Sequence, residues 1–509
     1  MFGTTRTLNF NQITYFGDSL TDSDEFFRAS SAVAFFGIPL TALGYAGKFS
    51  NGPVYSELVP GLLGITGGDD LNYAVGGAQV LTDRTIAEVL PPSIIRPDAT
   101  AEDLGWRMDI DGQIARFLTD TTGQDLSTTA SSILIGYNDF NDFVPASVET
   151  ALNDALAYGA SMAAAALQDA AALAQVGVGT IILNTLQGGT VFPIGQGDAP
   201  EAVALGGAAA AAFNQALETG AAGLEALGAE VIILDFAAIF DEIEANFSSY
   251  GFRTLDDPVI LPDANGDGLD EVNPAIAGVP LDQIAFFDVV HPTAALHGIM
   301  AGFQAAALTK DFQKGTSNGD ALRGSRTDDL ILGNAGDDHI RLRDGDDIGL
   351  GGQGNDYIKG GRGDDLLGGG GGHDHLRGGS GNDIIAGGDG SDRTIGGGGD
   401  DLIIDGDGND RHWGGSGDDT FVYTEASLMG WNSSGFDVIH GNRGDDTLIL
   451  RVEDADAVSS FSFGSITVYG ELGLITFGIE NVEVVEGTDL TARAFYDEQL
   501  ATADLWNFV

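Results

Sequence analysis

Residues suited to acyl transfer occur at separate points of the first 300 residues. Ser19 stands in the sequence Gly-Asp-Ser-Leu, directly after the β-branched and aromatic run 13–16, where it is a candidate nucleophile. A serine nucleophile needs a base that takes its proton and a third group that orients the base. Only two of the seven histidines, His291 and His297, precede the repeats described below. Asp288 lies close before His291, so this pair supplies the expected base and its orienting carboxylate, whereas His297 is expected to pack or to lie on a helix surface.

Hydrogen-bond donors for an oxyanion are expected at the ends of two further strand-like runs. The run 71–75 is followed by Gly76 and Gly77, whose backbone N–H groups a ligand can approach because no side chain shields them. The run 132–135 is followed by Asn138, whose side-chain NH₂ can face the negative charge of a tetrahedral intermediate. A double glycine or a Gly-Tyr-Asn-Asp turn is ordinary by itself. The order of these features behind successive strand-like runs is what favours a catalytic site.

These residues need a sheet whose strands end at one edge. Short β-branched runs occur at 13–16, 71–75, 132–135, 180–183 and 231–234. Alanine-rich helical patterns lie between or after them, near 110–120, 150–176, 200–228 and 293–310. Strands that alternate with helices predict a parallel sheet covered on both faces. Because ligands bind beyond the carboxyl ends of such strands, Ser19 and Asn138 are expected to converge there.

Five sequence blocks in this order resemble the GDSL/SGNH hydrolase family. They are FGDSL at 16–20, FSNGP at 49–53, NYAVGGA at 72–78, GYNDF at 136–140 and DVVHP at 288–292. The resemblance spans almost all of the first 300 residues. It implies an α/β fold of the SGNH-hydrolase (flavodoxin-like) type, a three-layer α/β/α sandwich with a parallel sheet. It also implies a serine lipase or esterase that needs no metal for catalysis.

The resemblance assigns roles residue by residue. The family's nucleophile falls on Ser19, and its Asp-x-x-His block falls on Asp288 and His291. The family's oxyanion hole falls on the N–H of Ser19, the N–H of Gly77 and the side chain of Asn138. The glycine is the one that lies five residues past the asparagine of its block. The implied substrate is a lipid or another acyl ester.

A nine-residue repeat dominates the sequence after these blocks. Eleven units run without a gap over 324–422, with aspartate sixth and usually an apolar residue eighth, although Gly349, Thr394 and His412 depart from the latter. The glycines permit tight turns, and the aspartates and turn carbonyls offer the hard oxygen ligands that Ca²⁺ prefers. The pattern predicts a parallel β-roll that holds several structural Ca²⁺ ions and unfolds without them. The predicted ligands are Asp329, Asp338, Asp347, Asp356, Asp365, Asp374, Asp383, Asp392, Asp401, Asp410 and Asp419.

The repeats resemble those of the RTX (hemolysin-type) family, whose signature is GGxGxDxUx, over roughly 315–422. The resemblance implies calcium-dependent folding and export by an ABC-type (type I) secretion machinery that reads an uncleaved C-terminal signal. The expected domains are a hydrolase over 1–314, the β-roll over 315–424, and a β-rich C-terminal cap with the secretion signal over 425–509. An extracellular location is therefore expected, and the lack of a recognisable N-terminal signal peptide agrees with that route.

The amino-acid composition argues against several classes of partner and of chemistry. The net charge of −54 repels nucleic acid and anionic membranes, so neither is an expected partner. Cysteine is absent, which excludes disulfides, thiol catalysis and cysteine-bound metals. No apolar stretch is free enough of charge and glycine to predict a transmembrane segment. The acidic charge suits a soluble protein, a cation binder or a salty environment, and most of it is expected to lie on a solvated surface.

A second kind of calcium site is suggested by Asp263, Asn265, Asp267 and Glu271, which match the start of a DxNxDG calcium loop. Pro274 stands where the EF-hand pattern has its last glutamate. A polar surface turn explains these residues equally well.

Two other functions are compatible with the sequence. One is a secreted calcium-binding adhesive or matrix protein whose hydrolase domain is inactive. The other is a polysaccharide acetylesterase, although the phenylalanine-rich segment 22–45 leans toward fatty acyl chains. Ester turnover and covalent labelling by a fluorophosphonate separate the first from an enzyme, and a series of acyl chain lengths addresses the second.

Overall fold

The structure is a computed structural model, and the chain divides into two compact units. The first unit comprises Leu8–Phe240 and Thr254–Ala305, and the second is made mainly of Ala306–Val509. The structure describes residues 8–18, 54–65, 72–75, 78–81, 85, 107–143, 145–147, 150–188, 200–245, 258, 260–261, 271–273, 284–286, 293–424, 437–452, 458, 460–463, 465–469 and 474–486.

The first unit is built on a parallel sheet of four strands in the order β1-β2-β3-β4. The strands are β1 Gln12–Gly17, β2 Thr129–Leu134, β3 Thr180–Asn184 and β4 Glu230–Leu234. They coincide with four of the five runs that predict strands, because their β-branched residues fill a sheet buried on both faces. The fold class predicted for this part of the chain is confirmed.

The fifth predicted strand, 72–75, runs parallel beside β1 without forming a regular strand. Asn72 bridges Tyr15, and the N–H groups of Tyr73 and Val75 donate to Tyr15 and Gly17 carbonyls at 2.8 and 3.0 Å. The chain therefore passes to one side of β1 and then returns to β2 on its other side. Such a reversal is the topological switch point of a doubly wound sheet, where ligands bind.

Seven helices accompany the sheet within the described residues. They are α1 Tyr55–Leu62, α2 Ile110–Asp120, α3 Tyr137–Asp142, α4 Ala151–Gln175, α5 Pro200–Glu225, α6 Phe236–Ala245 and α7 Ala294–Thr309. Four of them were predicted; α1, α3 and α6 are short, and α1 contains Pro60. The small residues let α4 and α5 pack closely, since a Cβ on Gly159 would overlap the Ala209 carbonyl. A short antiparallel pair, β5 Ile260–Leu261 and β6 Glu271–Val272, completes this unit.

The second unit is a β-roll of two sheets, and consecutive repeat units alternate between them. Each strand pairs in parallel with the strand two units later, as Ile340 pairs with Ile358. The eighth residues of the units, such as Ile331, Ile358 and Leu376, are fully buried between the sheets. The predicted parallel β-roll is therefore confirmed, with one turn for every two units.

The roll begins with β7 Asp311–Lys314 and extends past the repeats. Its further strands are β8 Ala321–Arg323, β9 Asp329–Leu332, β10 His339–Asp344, β11 Ile348–Gln353, β12 Tyr357–Arg362, β13 Leu366–Gly372, β14 His375–Ser380, β15 Ile384–Gly390, β16 Arg393–Gly398, β17 Leu402–Ile404, β18 Asp407–Gly408, β19 Arg411–Ser416, β20 Thr420–Thr424, β21 Asp437–Arg443, β22 Thr447–Val452, β23 Phe461–Phe463, β24 Ile466–Tyr469, β25 Leu474–Phe477 and β26 Asn481–Glu486. Strand β24 pairs antiparallel with β23 and with β25, at the far end of one sheet.

Candidate active site and calcium-binding units

The end of β1 is held on two sides. The Gly17 N–H donates to Gln113 Oε1 at 2.9 Å, and Gln113 Nε2 donates to the Gly17 carbonyl at 2.7 Å. The same carbonyl accepts the Val75 N–H at 3.0 Å, and Asp18 is buried beyond it. The backbone that leads into position 19 is therefore fixed by α2 on one side and by the segment 72–75 on the other.

Asn138 lies at the end of β2, at the start of α3. Its Nδ2 donates to the Ala78 carbonyl at 3.1 Å, and Gln79 Nε2 donates to the Asn138 carbonyl at 3.0 Å. The neighbouring carboxylate of Asp139 is buried and accepts the N–H groups of Val80 and Leu81 at 2.9 and 3.0 Å. These bonds join the segment 78–81 to the start of α3, so the ends of 72–75 and β2 meet at the switch point.

Thr293 joins the start of α7 to the described residues 284–286. Its N–H donates to the Ala285 carbonyl at 2.9 Å, and its Oγ1 donates to the Ile284 carbonyl at 2.8 Å. Oγ1 also accepts the Leu296 N–H at 3.4 Å, at the start of α7. Thr293 therefore holds residues 284 and 285 against the start of α7.

The other histidine of this unit serves packing. His297 is fully buried in α7, its Nδ1 accepts the Tyr55 N–H at 3.3 Å, and its ring stacks on the Tyr55 ring.

The sixth residue of each repeat unit is a buried aspartate with two distinct oxygens. One oxygen accepts the N–H of the aspartate two units earlier, as Asp347 Oδ1 accepts from Asp329 at 2.8 Å and Asp365 Oδ1 from Asp347 at 3.0 Å. The other oxygen is buried and has no hydrogen-bond partner in Asp338, Asp347, Asp356, Asp365, Asp374, Asp383, Asp392, Asp401, Asp410 and Asp419. A row of unsatisfied carboxylate oxygens fits a hard cation, because burying such groups without a partner is costly.

The surroundings of these oxygens agree with that interpretation. Burial raises the pKa of Asp338 to about 6, of Asp374 to about 8 and of Asp365 to about 9. The first glycine of the unit is required by the carboxylate, since a Cβ on Gly360 or Gly378 would overlap Oδ2 of the aspartate five residues later. Burial therefore disfavours the charged form of these carboxyl groups, which a bound cation would offset, and the glycine leaves space beside Oδ2.

The first predicted ligand differs from the others. Asp329 Oδ2 accepts the Ser325 N–H at 2.6 Å, so this oxygen already has a partner. The row instead extends past the repeats to Asp446, whose Oδ2 is also unsatisfied and whose Oδ1 accepts the Asp419 N–H at 3.0 Å. Asp437 Oδ1 accepts the Asp410 N–H in the same way at 2.6 Å. Both residues keep the nine-residue phase after a single unmatched unit, 423–431, and that phase was the signal available in the sequence.

Two known protein families match the chain, one in each of its two parts. The family model for GDSL-like Lipase/Acylhydrolase matches residues 13–302, which is more than half of the chain. The chain belongs to the GDSL-like lipase/acylhydrolase family. The model for the RTX calcium-binding nonapeptide repeat matches 314–349, 343–376, 350–385, 368–403, 386–421 and 431–450. No curated protein matches the chain. The protein is thus a GDSL-like hydrolase that carries a calcium-binding RTX roll.

Most of the predicted GDSL site residues lie outside the described residues. They are Ser19, Gly77, Asp288 and His291, together with Asp263, Asn265 and Asp267 of the proposed calcium loop. The backbone of Glu271 belongs to β6 and pairs with Leu261. Asn138 is described, at the edge of the sheet where β1 ends.

Three side chains that support the GDSL site were missed in the sequence. Gln113 and Gln79 are fully buried and bond to the backbone at the ends of β1 and β2, and Asp139 anchors the segment 78–81. The signal for Gln113 was a polar residue on the apolar face of α2, beside the buried Ile114 and Phe117.

One further group of side chains in the RTX roll has the spacing of metal ligands. Asp405, Asp410 and His412 each offer an atom within 4.8 Å of the others, and His412 Nε2 lies 2.8 Å from Asp405 Oδ1. The Nδ1 atom of His412 lies 2.7 Å from Thr394 Oγ1. Burial lowers the pKa of His412. Because Ca²⁺ prefers oxygen to imidazole, we describe Thr394, His412 and Asp405 as a buried hydrogen-bonded chain.

Within the described part of the chain, no helix combines the length and the apolar character that a membrane span needs.

Proposed function

We propose that the protein is a secreted serine hydrolase that cleaves carboxylic esters through an acyl-enzyme. Membership in the GDSL-like lipase/acylhydrolase family supports ester hydrolysis. The observation that carries the proposal is the position of Asn138, which is held beside the end of β1 at the switch point of the sheet. Ser19 follows that strand end directly, so nucleophile and oxyanion donor belong to one edge.

The proposed mechanism has two stages. Ser19 Oγ attacks the ester carbonyl carbon while His291 takes the hydroxyl proton, and Asp288 orients the ring and stabilises the imidazolium. The tetrahedral intermediate collapses, the C–O bond to the alcohol breaks, and His291 returns the proton to the leaving oxygen. Water then attacks the acyl-enzyme with His291 again as base, which releases the acid and restores Ser19.

Asn138 is suited to the oxyanion role because its amide has two hydrogens. One of them is directed to the Ala78 carbonyl, which fixes the plane of the amide. The other remains for the negative oxygen, beside the N–H groups of Ser19 and Gly77. A donor that is held in place before the reaction needs no reorganisation when the charge develops.

The RTX roll supplies the calcium-binding part of the proposal. Ten aspartates of the repeats, Asp338 to Asp419, would hold the ions through their unsatisfied Oδ2 atoms. Bound Ca²⁺ would neutralise the buried carboxylates, so folding would be complete where calcium is plentiful. RTX repeats are typical of secreted proteins, and we propose export by the type I (ABC transporter) route to the extracellular medium.

Replacement of the nucleophile tests the enzyme assignment. Ser19→Ala should abolish hydrolysis of p-nitrophenyl butyrate and labelling by a fluorophosphonate, whereas Ser161→Ala, which removes an exposed hydroxyl on α4, should change neither. Peptide mass spectrometry of the labelled protein should place the adduct on Ser19. Full activity of Ser19→Ala would overturn the assignment, and a wild-type protein without turnover or labelling would favour the adhesive alternative.

A series of acyl esters, run beside acetylated xylan and phospholipid, tests the substrate class. A preference for long acyl chains would support a lipase. Turnover confined to acetylated xylan would support the polysaccharide acetylesterase.

A further inference from the structure

Basic residues are concentrated in one groove of the second unit. The chain has 22 lysine and arginine residues and a net charge of −54. Seven of those basic residues line this groove, with a single carboxylate, Asp344, among them. We call this the basic groove; its seven cations are Arg323, Arg326, Arg341, Arg343, Lys359, Arg362 and Arg377.

Four of these residues form a ladder across neighbouring strands. Arg323 pairs in register with Arg341, Arg341 with Lys359, and Lys359 with Arg377, on β8, β10, β12 and β14. All four side chains are exposed. Because neighbouring strands lie about 4.8 Å apart, the ladder spans about 14 Å from its first residue to its fourth.

The ladder is unfavourable for the fold by itself. Like charges directly opposite each other on adjacent strands destabilise a sheet. None of the four forms an ion pair with a carboxylate of the described chain, and the ion pair within the groove joins Arg362 and Asp344 at 3.8 Å. The four ladder cations therefore repel one another, and among the described residues no carboxylate pairs with them.

The repeat does not require basic residues at this position. Arg341, Lys359 and Arg377 occupy the ninth position of their units, and Arg323 keeps the same phase just before the first unit. At that position the opposite sheet has buried apolar residues such as Leu332 and Val422. Later units of the same sheet have Ile395 and Trp413 there. The ladder is thus a local feature of four neighbouring strands of one sheet, which come from alternate units of the repeat.

We propose that the basic groove binds a linear acidic polysaccharide through its carboxylate or sulfate groups. Arginine guanidinium groups bind such anions with two parallel hydrogen bonds, and a row of cations matches a polymer that carries an anion on successive sugars. A planar anionic membrane would also be repelled by the rest of the chain, whose net charge is strongly negative. A single polymer strand contacts the groove alone. The binding does not depend on the hydrolase site.

Binding is measured by isothermal titration calorimetry on the full chain in calcium-containing buffer. The probes are a short oligogalacturonate and a dextran sulfate fragment, which separate carboxylate from sulfate and do not gel with Ca²⁺ at low concentration. We expect binding of at least one of them, weakening as the salt concentration rises. Neutral dextran should not bind.

A matched pair of variants assigns the site. Arg341→Glu with Lys359→Glu should weaken binding at least tenfold. Arg411→Glu with Arg443→Glu makes the same change of charge at exposed residues of the roll that do not line the groove, and should weaken binding less than threefold. Arg341→Gln with Lys359→Gln removes the mutual repulsion, so it should keep the calcium-dependent circular dichroism signal while also losing affinity.

Several results would overturn the proposal. They are no binding of either acidic glycan by the wild-type chain, equal losses in the groove and control variants, and equal binding of neutral dextran. Preferential binding of phosphatidylglycerol vesicles or of single-stranded DNA would identify a different ligand class and would also refute the assignment.

Discussion

The side chain of Gln113 forms hydrogen bonds to the backbone of Gly17 through both of its polar atoms. Oε1 accepts the Gly17 N–H at 2.9 Å, and Nε2 donates to the Gly17 carbonyl at 2.7 Å. An amide side chain can accept one hydrogen bond and donate another at the same time, which an ionised carboxylate cannot do. A residue of α2, almost a hundred positions away, therefore sets the direction in which the chain leaves β1 toward Ser19.

Replacement of Gln113 should lower kcat, because Gln113 positions the nucleophile and does not itself contact the substrate. Gln113→Leu removes the two hydrogen bonds to Gly17 and a third, from Nε2 to the Met108 carbonyl. It leaves the buried Gly17 N–H without that partner, which costs about 1–3 kcal/mol of stability. We expect kcat for p-nitrophenyl butyrate to fall by about tenfold or more, because a small displacement of a nucleophile is costly, while KM changes little. Gln113→Glu can still accept from Gly17 and should keep more activity than Gln113→Leu.

The matched control is Gln124→Leu, which removes an exposed glutamine that donates only to the Asp120 carbonyl. It should keep kcat within about twofold. If folded Gln113→Leu were as active as the wild type, the hydrogen bonds from Gln113 to Gly17 would not position Ser19.

Asn138 should stabilise mainly the transition state and contribute little to substrate binding. Asn138→Ala removes a fixed donor and should lower kcat by about 10²–10³-fold, with KM nearly unchanged, because the oxyanion forms only after attack. Asn138→Asp places a negative carboxylate near the same oxygen and should be worse than alanine. Asn153→Ala on the exposed side of α4 is the control. A rise in KM with unchanged kcat would instead assign Asn138 to substrate binding.

The periodic features of this chain could be predicted from its sequence, whereas the side-chain contacts that support the candidate active site could not. The β-branched runs identify β1 to β4, and the nine-residue phase identifies the roll, because both patterns reflect burial that repeats along the chain. The hydrogen bonds between Gln113 and Gly17 join residues that are distant in the chain, so no local sequence pattern predicts them. Asp446 was missed because one unmatched unit interrupts the phase, although its environment equals that of the repeated aspartates.

Calcium removal should unfold the RTX roll. Chelation leaves buried carboxylates such as Asp374 and Asp383 without a cation, so we expect the β-sheet signal in far-ultraviolet circular dichroism to disappear. Asp374→Asn keeps an oxygen for the Asp356 N–H but places NH₂ where Oδ2 stands. It should reduce the calcium bound per chain and raise the calcium concentration needed for folding by several-fold.

The control for this measurement is Asp337→Asn. Asp337 is exposed, and its Oδ1 accepts the Asn355 N–H, a bond that asparagine can also make. Its calcium stoichiometry should equal that of the wild type. An unchanged stoichiometry in Asp374→Asn as well would contradict ligation by the buried aspartates.

Asp169 should make the first unit less stable in alkaline solution. Burial in α4, with the neighbouring Asp111 carboxyl as a lesser cause, raises the pKa of Asp169 to about 8, against about 4 in an unfolded chain. The folded state therefore holds a proton that the unfolded state has lost, and stability falls as the pH rises from about 4 through 8. Asp169→Asn is neutral throughout, so its urea midpoint, followed by the helical circular dichroism signal, should lose this decline and exceed that of the wild type at pH above about 8. Glu218→Gln removes an exposed carboxyl from α5 and serves as the control. If Asp169→Asn declined with pH as steeply as the wild type, the buried proton on Asp169 would be refuted.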